Sequence, residues 1–124
     1  MKKYHDLLKI CFPDIDALGN ILLKRQRFPI YIFTMEKGKN VVGGVSVVRL
    51  SERVFEIYFM AIHPDYQGKG YGKKLMEEVH KQLKGIFLTK TREAKKFYEK
   101  LGYKVFHKGK KHDYLAYSNM DSYL

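Results

Sequence analysis

Apolar positions along the chain recur first at helical and then at strand spacing, and the change of period marks out most of the elements. Tyr4, Leu7, Leu8 and Cys11 fall on one side of a helix. Pro13 and Asp14 restart a second helix, whose apolar side is Leu18, Ile21 and Leu22. Residues 30–35 and 41–50 read as strands around a turn at residues 36–40, which makes a hairpin. Ser51, Glu52 and Arg53 form the next turn. The near-continuous apolar run of residues 54–62 then predicts a third strand buried on both faces.

From Lys73 to Lys84 the period is helical again, with Leu75, Met76, Val79 and Leu83 inward, Glu77 four residues ahead of Lys81, and Gly85 placed to end the helix. Residues 86–88 are a short buried strand. Residues 92–101 form a helix with Ala94, Phe97, Tyr98 and Leu101 on one side and Gly102 as its stop signal. Two closing strands, residues 103–107 and 112–118, flank a turn at residues 108–111. The pattern predicts one α/β domain over residues 1–124, with no internal repeat.

Between the third strand and the helix that follows, glycine occupies alternate positions: Gly68, Gly70 and Gly72. Without Cβ atoms the chain there can aim successive N–H groups inward, and a phosphate oxygen can approach the main chain. The following helix adds its unpaired first N–H groups and the positive end of its dipole, and Lys69, Lys73 and Lys74 add full charges. A pyrophosphate would fit such a cradle, although the three glycines alone equally allow a flexible, solvated turn. No Gly-Lys-Ser/Thr follows, so it is not a Walker A loop, and the spacing is not that of a dinucleotide fingerprint.

Gln67-Gly68-Lys69-Gly70-Tyr71-Gly72 resembles the Gln/Arg-x-x-Gly-x-Gly/Ala signature of the GNAT superfamily of acyl-CoA-dependent N-acetyltransferases. Residues 91–103, which include Thr91, Ala94, Phe97, Tyr98, Leu101 and Gly102, look like the family's late Asn-x-x-Ala-x-x-Phe-Tyr-Glu-Lys-Leu-Gly-Phe block, with Thr91 where the family often has Asn. The resemblance covers residues 54–103 and implies an α/β (α+β) GNAT-type fold: a mixed, mostly antiparallel sheet of about six strands, flanked by helices. In that fold a strand normally precedes the first helix, and nothing before Tyr4 supplies it. The expectation is a sheet lacking its first strand, with an edge covered by the N-terminal helices or by a second copy in a homodimer.

The resemblance further implies acetyl-CoA as cosubstrate, its pyrophosphate held by Gln67, Gly68, Lys69, Gly70, Tyr71, Gly72 and Lys73, with Thr91 also at the cofactor. The pantetheine arm would lie along Met60, Ala61 and Ile62 and pair with main-chain groups, and a backbone N–H near Ile62 would receive the oxyanion. Tyr98 matches the family tyrosine near the CoA sulfur. Its phenol, ordinarily near 10, lies roughly 1.5 units above a thiol near 8.5, so it can serve as general acid. Residue type and helical spacing alone favour Tyr98 as core packing beside Phe97, and it is the motif position that favours the acid. Glu56 is the candidate base: strand alternation sets Glu56, Tyr58, Met60 and Ile62 on one face, and residues 56–62 look like the corresponding strand of the histone-acetylating branch. The other reading of Glu56 is a carboxylate paired with one of many nearby lysines.

Charge changes the picture of the partners. Lysine and arginine number 24 against 13 acidic residues, a formal net charge of +11, which concentrates anions and leans toward an acidic amine acceptor. The lysines are spread along the chain and accompany no nucleic-acid motif, so no specific nucleic-acid partner is expected. Cys11 is the only cysteine and the five histidines are scattered, so neither an internal disulfide nor a metal is expected. The chain has no apolar run long enough to span a membrane and no signal-peptide core after Met1, which points to the cytoplasm. The reading is an acetyl-CoA-dependent N-acetyltransferase acting on a primary amine of a small molecule, peptide or protein. A CoA-binding regulatory module and a small basic nucleic-acid-binding domain stand as alternatives.

Overall fold

Tyr4, Leu7 and Leu8 are all buried, as their spacing predicts, and they press helix α1 (Lys2–Cys11) onto the sheet. The computed structural model describes residues 2–120. Helix α2 (Ala17–Arg25) departs from expectation: it buries Ala17 and Ile21, while Leu22 and Leu23 are exposed. The cause is the cap. The Asp16 carboxylate accepts from the Gly19 N–H at 2.9 Å, which starts the helix at Ala17 and turns residues 17, 21 and 24 inward.

β1 (Ile30–Lys37) and β2 (Asn40–Ser51) run closer together than expected, leaving a two-residue turn in which Gly38 takes a φ of 62°. β3 (Val54–Ile62) falls as predicted. A single 3₁₀ turn (Pro64–Tyr66) leads to α3 (Tyr71–Gln82). β4 (Ile86–Thr91) and the short α4 (Lys95–Lys100) follow, and the chain closes with β5 (Lys104–Lys108) and β6 (Asp113–Ser118).

Two boundaries shift for identifiable reasons. α3 ends at Gln82 rather than near Gly85 because Asn119 binds the segment beyond it. The Asn119 side chain donates to the His80 and Leu83 carbonyls, at 2.9 Å each, and accepts from the Gly85 N–H at 2.8 Å. α4 starts at Lys95 rather than 92 because the Thr91 hydroxyl oxygen accepts from the Ala94 N–H at 2.8 Å and holds residues 91–94 as a turn.

The six strands form one mixed sheet in the order β1-β2-β3-β4-β6-β5, with β3 and β4 parallel and every other pair antiparallel. α3 and α4 cover one face, over a core of Val45, Phe55, Ile57, Met76, Phe87 and Leu115. α1 and α2 cover the other, over Ala61, Tyr58 and Phe59. The N-terminal helices therefore lie on a face of the sheet, over β2 and β3, and not along the β1 edge that they were expected to cover. Among the described residues no helix is long and apolar enough to cross a membrane.

His80, on α3, sits inside an aromatic cluster with ring centroids 4.9 Å from Phe87, 5.6 Å from Tyr103 and 4.5 Å from Tyr117. Its Nε2 lies 2.8 Å from the Tyr103 hydroxyl. Burial, and secondarily the Lys84 cation, pull its pKa down from 6.5 to about 4. The unfolded chain therefore takes up this proton first. The neutral ring's contribution to stability is intact above pH 6.5 and is lost as pH falls toward 4. The urea midpoint should fall across that window, and His80→Phe should flatten the fall relative to the parent. An unchanged slope in the variant would mean that the ring does not titrate with folding.

Candidate active site

β3 and β4 begin as a parallel pair and then part. Their register covers only Val54 with Ile86, Phe55 with Phe87 and Glu56 with Leu88, although β3 continues to Ile62 and β4 to Thr91. Beyond Glu56 each strand stays paired on its outer side only, β3 to β2 and β4 to β6. The His63 N–H donates to the Val42 carbonyl at 2.8 Å. Alternation along the strand then turns the main-chain groups of Met60 and Ile62 away from β2, toward the side that β4 has left. Ala61 faces β2 instead, opposite Gly44, and offers nothing to the gap.

A cleft of about 490 Å³ occupies the fork. Residues 56–60 of β3 and 89–91 of β4 line it, with Ala94, Phe97 and Tyr98 at the start of α4 and Phe12, Ile15 and Asn20 closing one end. A cleft of similar volume beside α1 shares only Phe12 and Ile15 with it and has no group from β3, β4 or α4.

At the far end of β3 the chain enters the glycine segment. Gly68 and Gly70 have φ of 76° and 82°, in the left-handed region, and a Cβ at either would meet nothing within 4 Å. Their constraint is the backbone dihedral. Gly72 differs: a Cβ there would approach the Phe97 ring at 3.2 Å, so this glycine serves the packing of α3 on α4. The first helical bond of α3 is Lys74 N–H to Gly70 carbonyl, 3.1 Å. Among the described residues the N–H groups from Gly68 to Lys73 have no acceptor in the protein. Six consecutive donors at a helix N-terminus are what a pyrophosphate requires.

Cations surround this point. The ammonium of Lys69 lies 5.6 Å from the Tyr66 ring centroid, and those of Lys37 and Lys74 lie 5.0 and 5.8 Å from that of Tyr71. Lys73 is exposed on the first turn of α3. The Gln67 side chain is spent differently, donating to the Ile62 carbonyl at 3.0 Å and so closing the turn that leads into the cradle.

Tyr98 is buried, 5% exposed, and lines the cleft. Burial pushes its phenol up to about 12, with the Thr89 hydroxyl acting weakly the other way. Thr91 also lines the cleft, and its bond to the Ala94 N–H is one that an Asn side chain in its place could equally make. Glu56 stands at the apex of the fork, its Oε1 3.6 Å from the ammonium of Lys24.

The alternation expected for β3 fails at one residue. Ser46 pairs with Phe59 and Val47 with Ile57, which leaves Tyr58 unpaired as a bulge. The buried Ser46 hydroxyl fills the break, accepting from the Phe59 N–H at 3.0 Å and meeting the Phe59 carbonyl at 3.4 Å. Glu56 consequently shares a face with Tyr58, Phe59 and Ala61, and not with Met60 and Ile62. It reaches the cleft through its place at the apex.

The Acetyltransferase (GNAT) domain family matches residues 29–105. The chain belongs to the GNAT acetyltransferases. A curated relative, the uncharacterized N-acetyltransferase ycf52 of Gracilaria tenuistipitata var. liui, is 29% identical over 114 residues, covering 80% of this chain. The chain spans only 60% of that relative's length. Among solved structures, an aminoglycoside 6'-N-acetyltransferase complexed with coenzyme A superposes with a TM-score of 0.79 at 15% identity, over 94% of this chain and 89% of that one. An IAA acetyltransferase from Bacillus cereus ATCC 14579 gives 0.70 at 20% identity, covering 91% and 90%. A GNAT family acetyltransferase from Elizabethkingia anophelis with acetyl-CoA bound gives 0.70 at 15%, covering 92% and 89%. At these identities the likeness is one of fold.

The GNAT frame accounts for the fork and the glycine segment together. The open donors at residues 68–73 and the ring of lysines fit the phosphates of CoA. The β4-facing groups of Met60 and the Ile62 N–H fit its amide arm, the Ile62 carbonyl being taken by Gln67 and Cys11. Lys37, at the tip of the β1–β2 hairpin, carries no sequence signal for this role, because only the fold brings it to Tyr71. Lys24 was equally unmarked. Among the described residues no group of three or more His, Cys, Asp or Glu side chains is placed to hold a metal ion.

Filling the cradle should raise stability by about 2.7 kcal/mol at a hundredfold excess of acetyl-CoA over its dissociation constant. Gly70→Val should abolish that gain, because a β-branched residue cannot hold the left-handed dihedral that aims the donors. Thermal shift with and without acetyl-CoA reads this directly. Undiminished affinity in the variant would remove the cradle from the cofactor site.

Proposed function

We propose that the protein is an N-acetyltransferase that moves the acetyl group of acetyl-CoA to a primary amine by direct attack. The observation that carries this reading is the fork after Glu56 and Leu88, which is lined by a buried phenol and whose strand β3 leads on through a short turn into a run of free N–H donors. A thioester carried into the fork by CoA would meet the amine there. The C–N bond forms as the C–S bond breaks. An ammonium acceptor gives up two protons: one ends on the departing thiolate, and the other goes to a base and then to solvent.

In this reading Glu56 takes the first proton, directly or through water, and Tyr98 faces the leaving sulfur as a neutral donor. A main-chain N–H near Ile62 stabilises the oxyanion. The ion pair with Lys24 supports a second role for Glu56 as a structural anchor. Tyr98→Phe should cut turnover by about 10²–10³, the loss of one preorganised donor, while acetyl-CoA still binds. Glu56→Gln should show a deficit that shrinks as pH rises toward the amine's own pKa, where free base no longer has to be generated. A Glu56→Gln variant with a lower melting temperature and an unaltered pH profile would make the carboxylate structural. Tight acetyl-CoA binding with no transfer to any amine would leave a CoA-binding module.

Self-association belongs to the same proposal. β1 is an outer strand of the sheet with β2 on one side only, and an open edge invites pairing with a second copy. Sedimentation should show a concentration-dependent dimer, and a monomer at all concentrations would exclude this route.

A further inference from the structure

A second pocket, of about 330 Å³, joins the cleft at Glu56, Thr89 and Lys90. Its apolar wall is Leu50, Leu88, Phe106 and Tyr114. Two of these arrive by the same device. Leu50 is the unpaired residue where the β2–β3 register slips, and Phe106 is the unpaired residue where β5–β6 slips. Bulges on separate strands thus re-aim apolar side chains into one pocket. Phe106 is 62% exposed, a large apolar surface at the rim that the core does not use.

The polar wall is Lys24, Glu56 and Lys90. The Lys24 ammonium is 3.6 Å from Glu56 and 5.0 Å from the ring centroid of Tyr58, itself a bulge residue. A carboxylate and an aromatic face together form an ammonium site, and here the chain's own lysine sits in it. An acceptor ammonium that takes this place frees Lys24 and leaves two cations, Lys24 and Lys90, facing the bound molecule. An acceptor bearing an anion restores the balance, whereas one bearing a second cation meets both lysines without a counter-charge.

We propose that the acceptor is a small primary amine carrying its own anionic group on an apolar or aromatic body, with its ammonium replacing Lys24 on Glu56 and its anion received by Lys24 and Lys90. The inference rests on the acetyltransferase reading above and names the acceptor class for that site. It makes the Lys24–Glu56 pair a charge exchange: the pair holds the carboxylate in place until an ammonium arrives, and the released lysine then binds the other end of the same molecule. The apolar body lies against Leu50, Phe106 and Tyr114.

The test is thiol release from acetyl-CoA by the full chain with matched acceptors: phenylalanine against phenethylamine, tyrosine against tyramine, leucine against isoamylamine, and spermidine as a polycation. The carboxylated member should lead its pair by about tenfold in kcat/KM, and spermidine should be the poorest acceptor. Lys24→Met and the more exposed Lys90→Met should each erode the carboxylate preference without weakening acetyl-CoA binding, and phenethylamine should gain in Lys24→Met because nothing then competes for Glu56. Equal rates within the pairs, or spermidine as the best acceptor, would overturn this inference and leave the acetyltransferase reading standing. No thiol release with any amine, despite acetyl-CoA binding, would overturn both.

Discussion

Three parallel residue pairs hold the two halves of this sheet together, and the site exists because there are only three. Each half is well tied within itself, β3 to β2 along nearly its whole length and β4 to β6 over its full length. At the hinge the Phe55 and Phe87 rings stack 5.1 Å apart, with 19° between their planes. That contact anchors the closed end of the fork. Further pairing of β3 with β4 would satisfy more main-chain groups, and the fold forgoes it. The main-chain groups of β3 left open where β4 departs face the cleft, where water or an extended partner can satisfy them.

The bulge at Tyr58 belongs to the same economy of backbone. A regular β3 would carry Glu56 and Met60 on one face, and the carboxylate would point into the core beneath α3 and α4. The extra residue switches the face of everything upstream of it, so that Glu56 meets α2 and Lys24 and Ile57 takes the core position instead. Ser46 makes the switch tolerable by supplying the hydrogen bonds that the slipped ladder lost, which explains a hydroxyl buried in the middle of an otherwise apolar strand. One small polar residue in β2 therefore decides which way the candidate base faces.

The parts of this fold with a strong local period were legible in the sequence, and so was the family. The bounds of β3 and the buried side of α1 follow their apolar patterns, and the glycine segment and the late block carried the resemblance that the family match bears out. What escaped was set by long-range contacts. Asn119 ends α3 from beyond β6, and the Asp16 cap rotates α2 away from its most apolar side. No local pattern announces a bulge that depends on Ser46, thirteen residues away. For the same reason Lys24 and Lys37 look like ordinary surface lysines until the sheet brings them to Glu56 and Tyr71.

Burial also changes what Tyr98 can do. A phenol at about 12 lies roughly 3.5 units above a thiol near 8.5, so handing its proton outright to a free thiolate is unfavourable. The same burial keeps the phenol protonated throughout the working pH range. A neutral donor in a dry site stabilises charge as it develops on sulfur, and does so most when the C–S bond is most extended, which is where a transition state gains and a ground state does not. The thiolate can then wait for a proton from the acetylated amine, which has one to lose. In the proposed mechanism the partly buried carboxylate at the fork would act on the acceptor ammonium, while the sealed phenol beyond it would remain a hydrogen-bond donor.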